Sequence, residues 1–240
     1  MSRQLEEDLA GITKSVLHMG GLVEQALDRS LAALLDRDLA QAREVIENDG
    51  VIDELENQIE ERCLDLLALR QPVARDLRLV CGILKINSDL ERMADLAVNV
   101  AERAEVLSRV PPLPFRPDVS RLAGTAKRML RDSLDALVRL DAALAWRVWK
   151  ADVEADKLYR ELIGQAIQFM REHPDRLGDV MHLVGALRNL ERLADHATNI
   201  AEDVIFVVQG RIVRHHMQEL EASAGLAVDP AGAGLSDPAG

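Results

Sequence analysis

The chain has 240 residues, 48% of them hydrophobic and only 2% aromatic, a length and apolar content sufficient for a sizeable core and far from the profile of a disordered chain. Leu, Ala, Glu, Arg and Asp dominate, which favours packed helices over strands. Forty-one acidic against 29 basic residues give a net charge of -12, so direct nucleic-acid binding is excluded on electrostatic grounds. The first residues lack the basic-then-apolar layout of a signal peptide, and no apolar run approaches the ~20 residues that span a bilayer, so the expectation is a cytoplasmic protein with no integral membrane segment.

Helical periodicity starts at Leu5 and continues through Leu9, Ile12, Val16, Met19, Val23, Leu27, Leu31 and Leu34, at spacings of three and four. Asp38 is placed to cap a second helix carrying Val45, Ile52, Leu55, Ile59, Leu66 and Leu69, which Pro72 stops. A third helix runs from just after Pro72 to about Leu107. Cys63 and Cys81 form no CxxC pair and read as small core residues in a reducing compartment.

Pro111, Pro112, Pro114 and Pro117 break the pattern, so residues 1–110 form a first unit and 111–117 a stiff linker. The same plan then repeats across 118–217. Helices are expected at 118–140 and 142–172, Pro174 makes a stop, and a last helix reaches roughly Met217. Residues 218–240, rich in Ala, Gly, Pro and Asp, lose periodicity and are expected to be a disordered tail.

The two units share sequence as well as layout. Residues 89–102, DLERMADLAVNVAE, align without a gap on 189–202, NLERLADHATNIAE, at an offset of 100 residues, 191 less 91. The fold class is therefore all-α, two pseudo-symmetric antiparallel three-helix bundles built from six long helices.

On a helix, Glu91, Asp95, Asn99 and Glu102 fall at about 0°, 40°, 80° and 20°, one narrow polar stripe. Glu191, Asp195, Asn199 and Glu202 repeat it. The apolar positions Ile83, Leu90, Met93, Ala97, Val100 and Ala104 centre on the opposite side, so the acids point outward. Folding the first hairpin about Gln71 and Pro72 sets Asp53 level with Glu91, and Asp49 level with Asp95. The second hairpin, folded about His173 and Pro174, pairs Asp156 with Glu191 and Asp152 with Asp195. Each half thus gathers four carboxylates at one height. Such groups raise one another's pKa unless solvent or a cation offsets the repulsion, and hard oxygen ligands fit Mg, Mn, Ca or iron. His196 offers a further ligand where the first copy has Leu96. A solvated acidic face with arginine partners is the bland alternative.

The motifs 49–55 (DGVIDEL), 71–78 (QPVARDLR), 89–102 and 189–202 together resemble the PhoU family of bacterial regulators of phosphate uptake and signalling, over residues 5–217. The resemblance implies paired three-helix bundles whose E/DxxxD surface motifs hold multinuclear clusters of metal ions, often iron or zinc. By position these ligands are Glu91, Asp95, Glu191 and Asp195, with Asp49, Asp53, Asp152 and Asp156 from the second helices. It also implies a non-enzymatic, cytoplasmic negative regulator of the phosphate regulon, commonly a homodimer. Its partners would be the ATPase subunit of the phosphate ABC transporter and a phosphate sensor histidine kinase. Where the family often has Asp-His in both copies, this chain has Asp95-Leu96. The competing reading is a carboxylate-bridged metalloenzyme or metal-storage bundle, but no Glu is followed three residues later by His, as that chemistry requires.

Secondary features have structural readings beside functional ones. Arg70, Arg75 and Arg78 at the first hairpin tip are placed for an acidic partner or for helix-end carbonyls, and Trp146 and Trp149 for a partner or for inter-bundle packing. Gly82 and Gly185 are expected at close helix contacts, and His182 lies opposite the stripe.

Overall fold

A computed structural model describes residues 3–114 and 117–213, which are helical apart from short connections, with no strand among them. The elements are α1 (Arg3–Asp36), α2 (Leu39–Glu47), α3 (Asp49–Arg70), α4 (Ala74–Ser108), α5 (Val119–Arg139), α6 (Ala142–Glu172), a 3-10 turn (Pro174–Arg176) and α7 (Leu177–Gln209). Among the described residues no helix is long and apolar enough to cross a membrane.

Two expectations are corrected. The second helix of the first half is not continuous, because it breaks at Asn48 into α2 and α3. Asn48, Asp49 and Gly50 are all poor helix formers, and Asn48 turns both its backbone N–H and its side-chain amide (2.7 Å) onto the Glu44 carbonyl. The last helix ends at Gln209 rather than near Met217, since Gly210 adopts the left-handed conformation (φ 71°) and returns its N–H to the Phe206 carbonyl. Met217 itself, His215, His216 and the tail at 218–240 lie outside the described residues.

The remaining boundaries fall where capping chemistry puts them. Asp38 accepts from the N–H groups of Ala40 and Gln41, and Asp141 from that of Leu144. Gln71 (φ 47°) and Leu140 (φ 50°) turn the chain out of α3 and α5 in the left-handed region.

The two halves share one continuous apolar core, threaded by α1, α4, α5 and α7. α4 and α7 run antiparallel and touch along their lengths. Lys85 Nζ meets the buried Asp203 carboxylate at 3.2 Å near one end, Asp89 meets His196 in the middle, and Arg103 lies 3.4 Å from His182 near the other. α1 and α5 make the second contact between halves, where Lys127 binds Asp28 at 2.6 Å and Arg131 pairs with Glu24. Trp146 and Trp149 meet edge to face at 6.0 Å, half-buried against this core. Cys63 is buried and its thiol is pushed up to about 11, mainly by desolvation, which suits an inert core residue.

Of the two glycines singled out by sequence, Gly82 is the one that sets helix spacing. A Cβ there would lie 2.5 Å from Val207 Cγ2, whereas at Gly185 it would meet only the flexible Arg103 side chain at 3.3 Å. Gly82→Leu should destabilise the fold by about 1–3 kcal/mol, outweighing its gain in helix propensity of ~1 kcal/mol. Val207→Ala in the same chain should recover part of that loss. Urea unfolding of the single and double variants checks both, and an unchanged midpoint for Gly82→Leu would show that α4 and α7 are free to separate there.

Candidate metal centre

α3 and α4 form one wall of the first half, and α6 and α7 the equivalent wall of the second. Asn87 fixes the first pair by donating its amide to the Glu56 carbonyl at 2.9 Å. This locks the register in which acids of neighbouring helices face each other. Asp49, the first residue of α3, is level with Asp95, and Asp53 is level with Glu91. In the second half Asp152 faces Asp195 and Asp156 faces Glu191.

The electrostatics report the same adjacency. Asp49, Glu91, Asp152, Glu191 and Asp195 all have carboxyls raised above the ordinary range, in every case first by desolvation and then by neighbouring carboxylates. Asp152 rises furthest, to about 6, against the charges of Asp195 and Asp156. Arginines sit at the rim. Arg92 reaches Glu91 and Asp95, each at 3.3 Å, Arg188 lowers Glu191, and His196 and then Arg192 lower Asp195.

Glu56 joins the first cluster, its carboxyl raised by burial and by Glu60 and Asp53. Sequence reading passed over it, although Asp49, Asp53 and Glu56 follow one another at the spacing of a single helix face. The second half carries Tyr159 at the matching place, three residues past Asp156, so the first cluster holds five acids and the second four.

Four other residues of the stripes stand apart. Asn99 and Glu102 lie on α4 beyond the start of α3, in the stretch where Val98, Ala101 and Ala104 pack with Ala42 and Val45 of α2. Asn99 donates to the Asp95 carbonyl at 2.8 Å. Asn199 and Glu202 run level with Val148 and Ala145 of α6, both buried and apolar. Asn199 turns across the seam to Asp89 Oδ1 at 3.2 Å.

His196 is placed otherwise than its neighbour Asp195. Its Nδ1 lies 2.8 Å from Asp89 Oδ1, so its ring belongs to the seam between α4 and α7, and Leu96 at the same position of the first repeat is buried there. The hairpin arginines also serve the fold: Arg70 binds Asp8 at 3.0 Å, and Arg78 donates to the Val207 carbonyl at 3.4 Å.

As they stand, no three His, Cys, Asp or Glu side chains among the described residues converge on one point at ligand distance. The donor set nevertheless fits a hard cation: it is all carboxylate, mutually repelling, partly desolvated, and Asp49 Oδ1 is buried without any hydrogen-bond partner. Rotations of surface carboxylates would be needed to close a coordination shell.

The raised carboxyls predict the sign of a pH effect in metal-free protein. Between the unfolded value near 3.8 and the folded value of about 6, the folded chain keeps a proton on Asp152 that the unfolded chain has released. The contribution to stability is therefore fully present below the unfolded value and is lost as pH rises through about 6. Asp152→Asn should raise the melting temperature at neutral pH in the presence of chelator and leave it unchanged, or lower, near pH 4. Melting curves of the two proteins at both pH values decide it; equal shifts at both would mean that Asp152 is not desolvated against its neighbours.

Comparison with known proteins bears on this arrangement. The PhoU domain model matches residues 16–104 and again 119–204. The chain is 39% identical over 216 residues to the phosphate-specific transport system accessory protein PhoU homolog of Pseudomonas aeruginosa, covering 90% of this chain and 89% of that one. It is 40% identical over 217 residues to the homolog of the same name from Aquifex aeolicus, covering 90% and 98%. The crystal structure of PhoU from Pseudomonas aeruginosa superimposes with a TM-score of 0.83 at 39% identity, over 86% of this chain and 99% of that one. The phosphate transport system regulatory protein PhoU from Streptococcus pneumoniae does so with a TM-score of 0.80 at 28% identity, over 87% and 99%. These are accessory and regulatory proteins of phosphate transport, not enzymes. With the family model covering both repeats and the relatives matching along nearly their whole length, the chain belongs to the PhoU family.

Proposed function

We propose that this protein is a cytoplasmic negative regulator of phosphate uptake and of the phosphate regulon. In this reading it links the ATPase subunit of the phosphate ABC transporter to a sensor histidine kinase and thereby affects transcription through two-component signalling. Phosphate transport accessory function follows from the family; the two partners, a homodimeric state and the direction of control are the finer reading. The observation that carries it is the match over 90% of the chain to a phosphate transport accessory protein, with both repeats present.

The acidic clusters take metal ions in this reading. Asp49, Asp53, Glu91 and Asp95 would hold one group, and Asp152, Asp156, Glu191 and Asp195 the other. A bound cation would stabilise the ionised carboxylates and relieve their mutual repulsion. An all-oxygen donor set favours iron, Mn, Mg or Ca, and admits zinc less readily, since zinc prefers nitrogen or sulfur ligands. Asn99, Asn199, Glu102, Glu202 and His196 are weaker candidates, because each sits beyond or beside the place where the helices bring acids together.

Deleting the gene and reporting alkaline phosphatase in high phosphate tests regulation. Expression should rise when the gene is absent, and unchanged repression would remove the regulatory assignment. For the metal reading, Glu91→Ala with Asp95→Ala should lower bound metal by elemental analysis while leaving helical circular dichroism intact. Metal content equal to that of the parent protein would exclude those ligands.

A further inference from the structure

The two repeats act as references for each other. Ser30 and Ser133 are both buried, and each hydroxyl donates to the carbonyl three residues earlier, of Leu27 and Leu130. This sets the register of α1 on α5 at 103 residues, 133 less 30. Asp49 and Asp152 keep that offset, while α4 and α7 correspond at 100. Positions 16–70 and 74–108 therefore have named counterparts in the other half, residues 71–73 having none.

Against that reference the α2–α3 junction differs in its packing. A cavity of about 240 Å³ opens in the first half, where α2 breaks from α3 against α1 and α4. Leu22, Ala26, Val45, Ile52 and Val98 give it an apolar lining, and Asp49 is part of its wall. In the second half Met129, 1% exposed, stands in the place of Ala26, and α6 continues unbroken past the level of Asn48. Thr198 stands in the place of Val98, and its hydroxyl is shared between the Ala194 carbonyl at 3.1 Å and Asp152 Oδ1 at 3.3 Å. The first half lacks both the methionine and the hydroxyl. It is left with unfilled volume and with a buried Asp49 oxygen that has no donor.

These differences act together. Filling volume and satisfying a buried carboxylate each stabilise a fold, so their joint absence from one repeat leaves a space that an occupant carrying a donor would stabilise. An apolar cavity of ~150 Å³ accommodates benzene. This one is larger, with room for a ring and a short arm. Asp49 faces two further acids, Asp53 and Asp95, so the field at the carboxylate favours a cationic donor and repels an anion. Arg29 also lines the space, but Glu44 neutralises it at 2.6 Å.

We propose that this first-repeat cavity binds a small amphiphilic amine, its apolar body in the space that Met129 fills in the other repeat and its ammonium group donating to Asp49. The site shares Asp49 with the first carboxylate cluster, while its apolar part lies apart from that cluster, beside Leu22, Ala26 and Val98.

Benzylamine is a suitable probe, with benzoate and toluene as comparators, titrated against the full-length protein and followed by ligand-observed NMR. Benzylamine should bind with a Kd of about 1 mM or tighter, the range open to a ligand this small, while toluene binds more weakly and benzoate not measurably. Ala26→Met should weaken benzylamine at least ~10-fold by filling the space, and Val98→Thr should weaken it by satisfying Asp49. Both variants install residues the other repeat already carries, and thermal unfolding verifies that they remain folded. Benzylamine affinity unchanged in Ala26→Met would overturn the proposal, because the amine would then sit on the surface carboxylates. So would absent binding to the parent protein, or benzoate binding as well as benzylamine.

Discussion

α4 and α7 run antiparallel against each other, and the rest of the molecule is arranged around that seam. Each of these helices is buried on two sides, by its partner across the pseudo-twofold axis and by the other helices of its own repeat. A helix so enclosed has only a narrow strip left for polar groups, and on both helices that strip is where the glutamate and aspartate of the duplicated motif stand. Gly82 allows the backbones to approach at one end, and the Lys85–Asp203 pair satisfies a buried charge near it. If α4 were rolled about its axis to separate its acids from those of α3, Met93 and Val100 would leave the core. Burial of the apolar face thus holds the repelling carboxylates together.

The clusters are related by symmetry without being equal. The first has a fifth acid in Glu56, an unsatisfied Asp49 oxygen and a break in the chain immediately before Asp49. The second has an unbroken α6, a threonine hydroxyl on Asp152 and the more strongly raised aspartate. A helix start is more adjustable than a helix interior, because its first N–H groups have no partner within the helix. The first site can therefore rearrange around an occupant by moving the α2–α3 junction, whereas the second must do so by side-chain rotation alone.

How much of this could be read in advance follows from the range of the interactions involved. The periodicity of α1 and α4 to α6, the proline boundary and the opposition of Asp53 to Glu91 depend on local spacing and a hairpin fold, and all were legible. The break at Asn48 was legible too, in the run Asn48, Asp49, Gly50, but a continuous apolar pattern outweighed it. Gly210 likewise marks the end of α7, short of the expected end near Met217. What local sequence cannot carry is which residue across the seam satisfies which. Nothing near His196 in the chain identifies Asp89 as its partner.

That last pairing changes how the histidine should be weighed. Asp89 is half-buried between α4 and α7, where a carboxylate needs donors. His196 and Asn199 both turn to it, and the imidazole donates when Nδ1 carries the proton. In the counterpart positions the first repeat supplies Leu96 and Asn99, and the residue facing them is Asn189, an amide that carries no charge. Aspartate stands with histidine on one side of the axis, and asparagine with leucine on the other. The histidine therefore accompanies the charge of Asp89, its 2.8 Å partner, while also lowering Asp195 of the adjacent cluster. The absence of histidine from the first repeat is then no evidence that its cluster is the poorer cation site, and its fifth carboxylate argues the reverse.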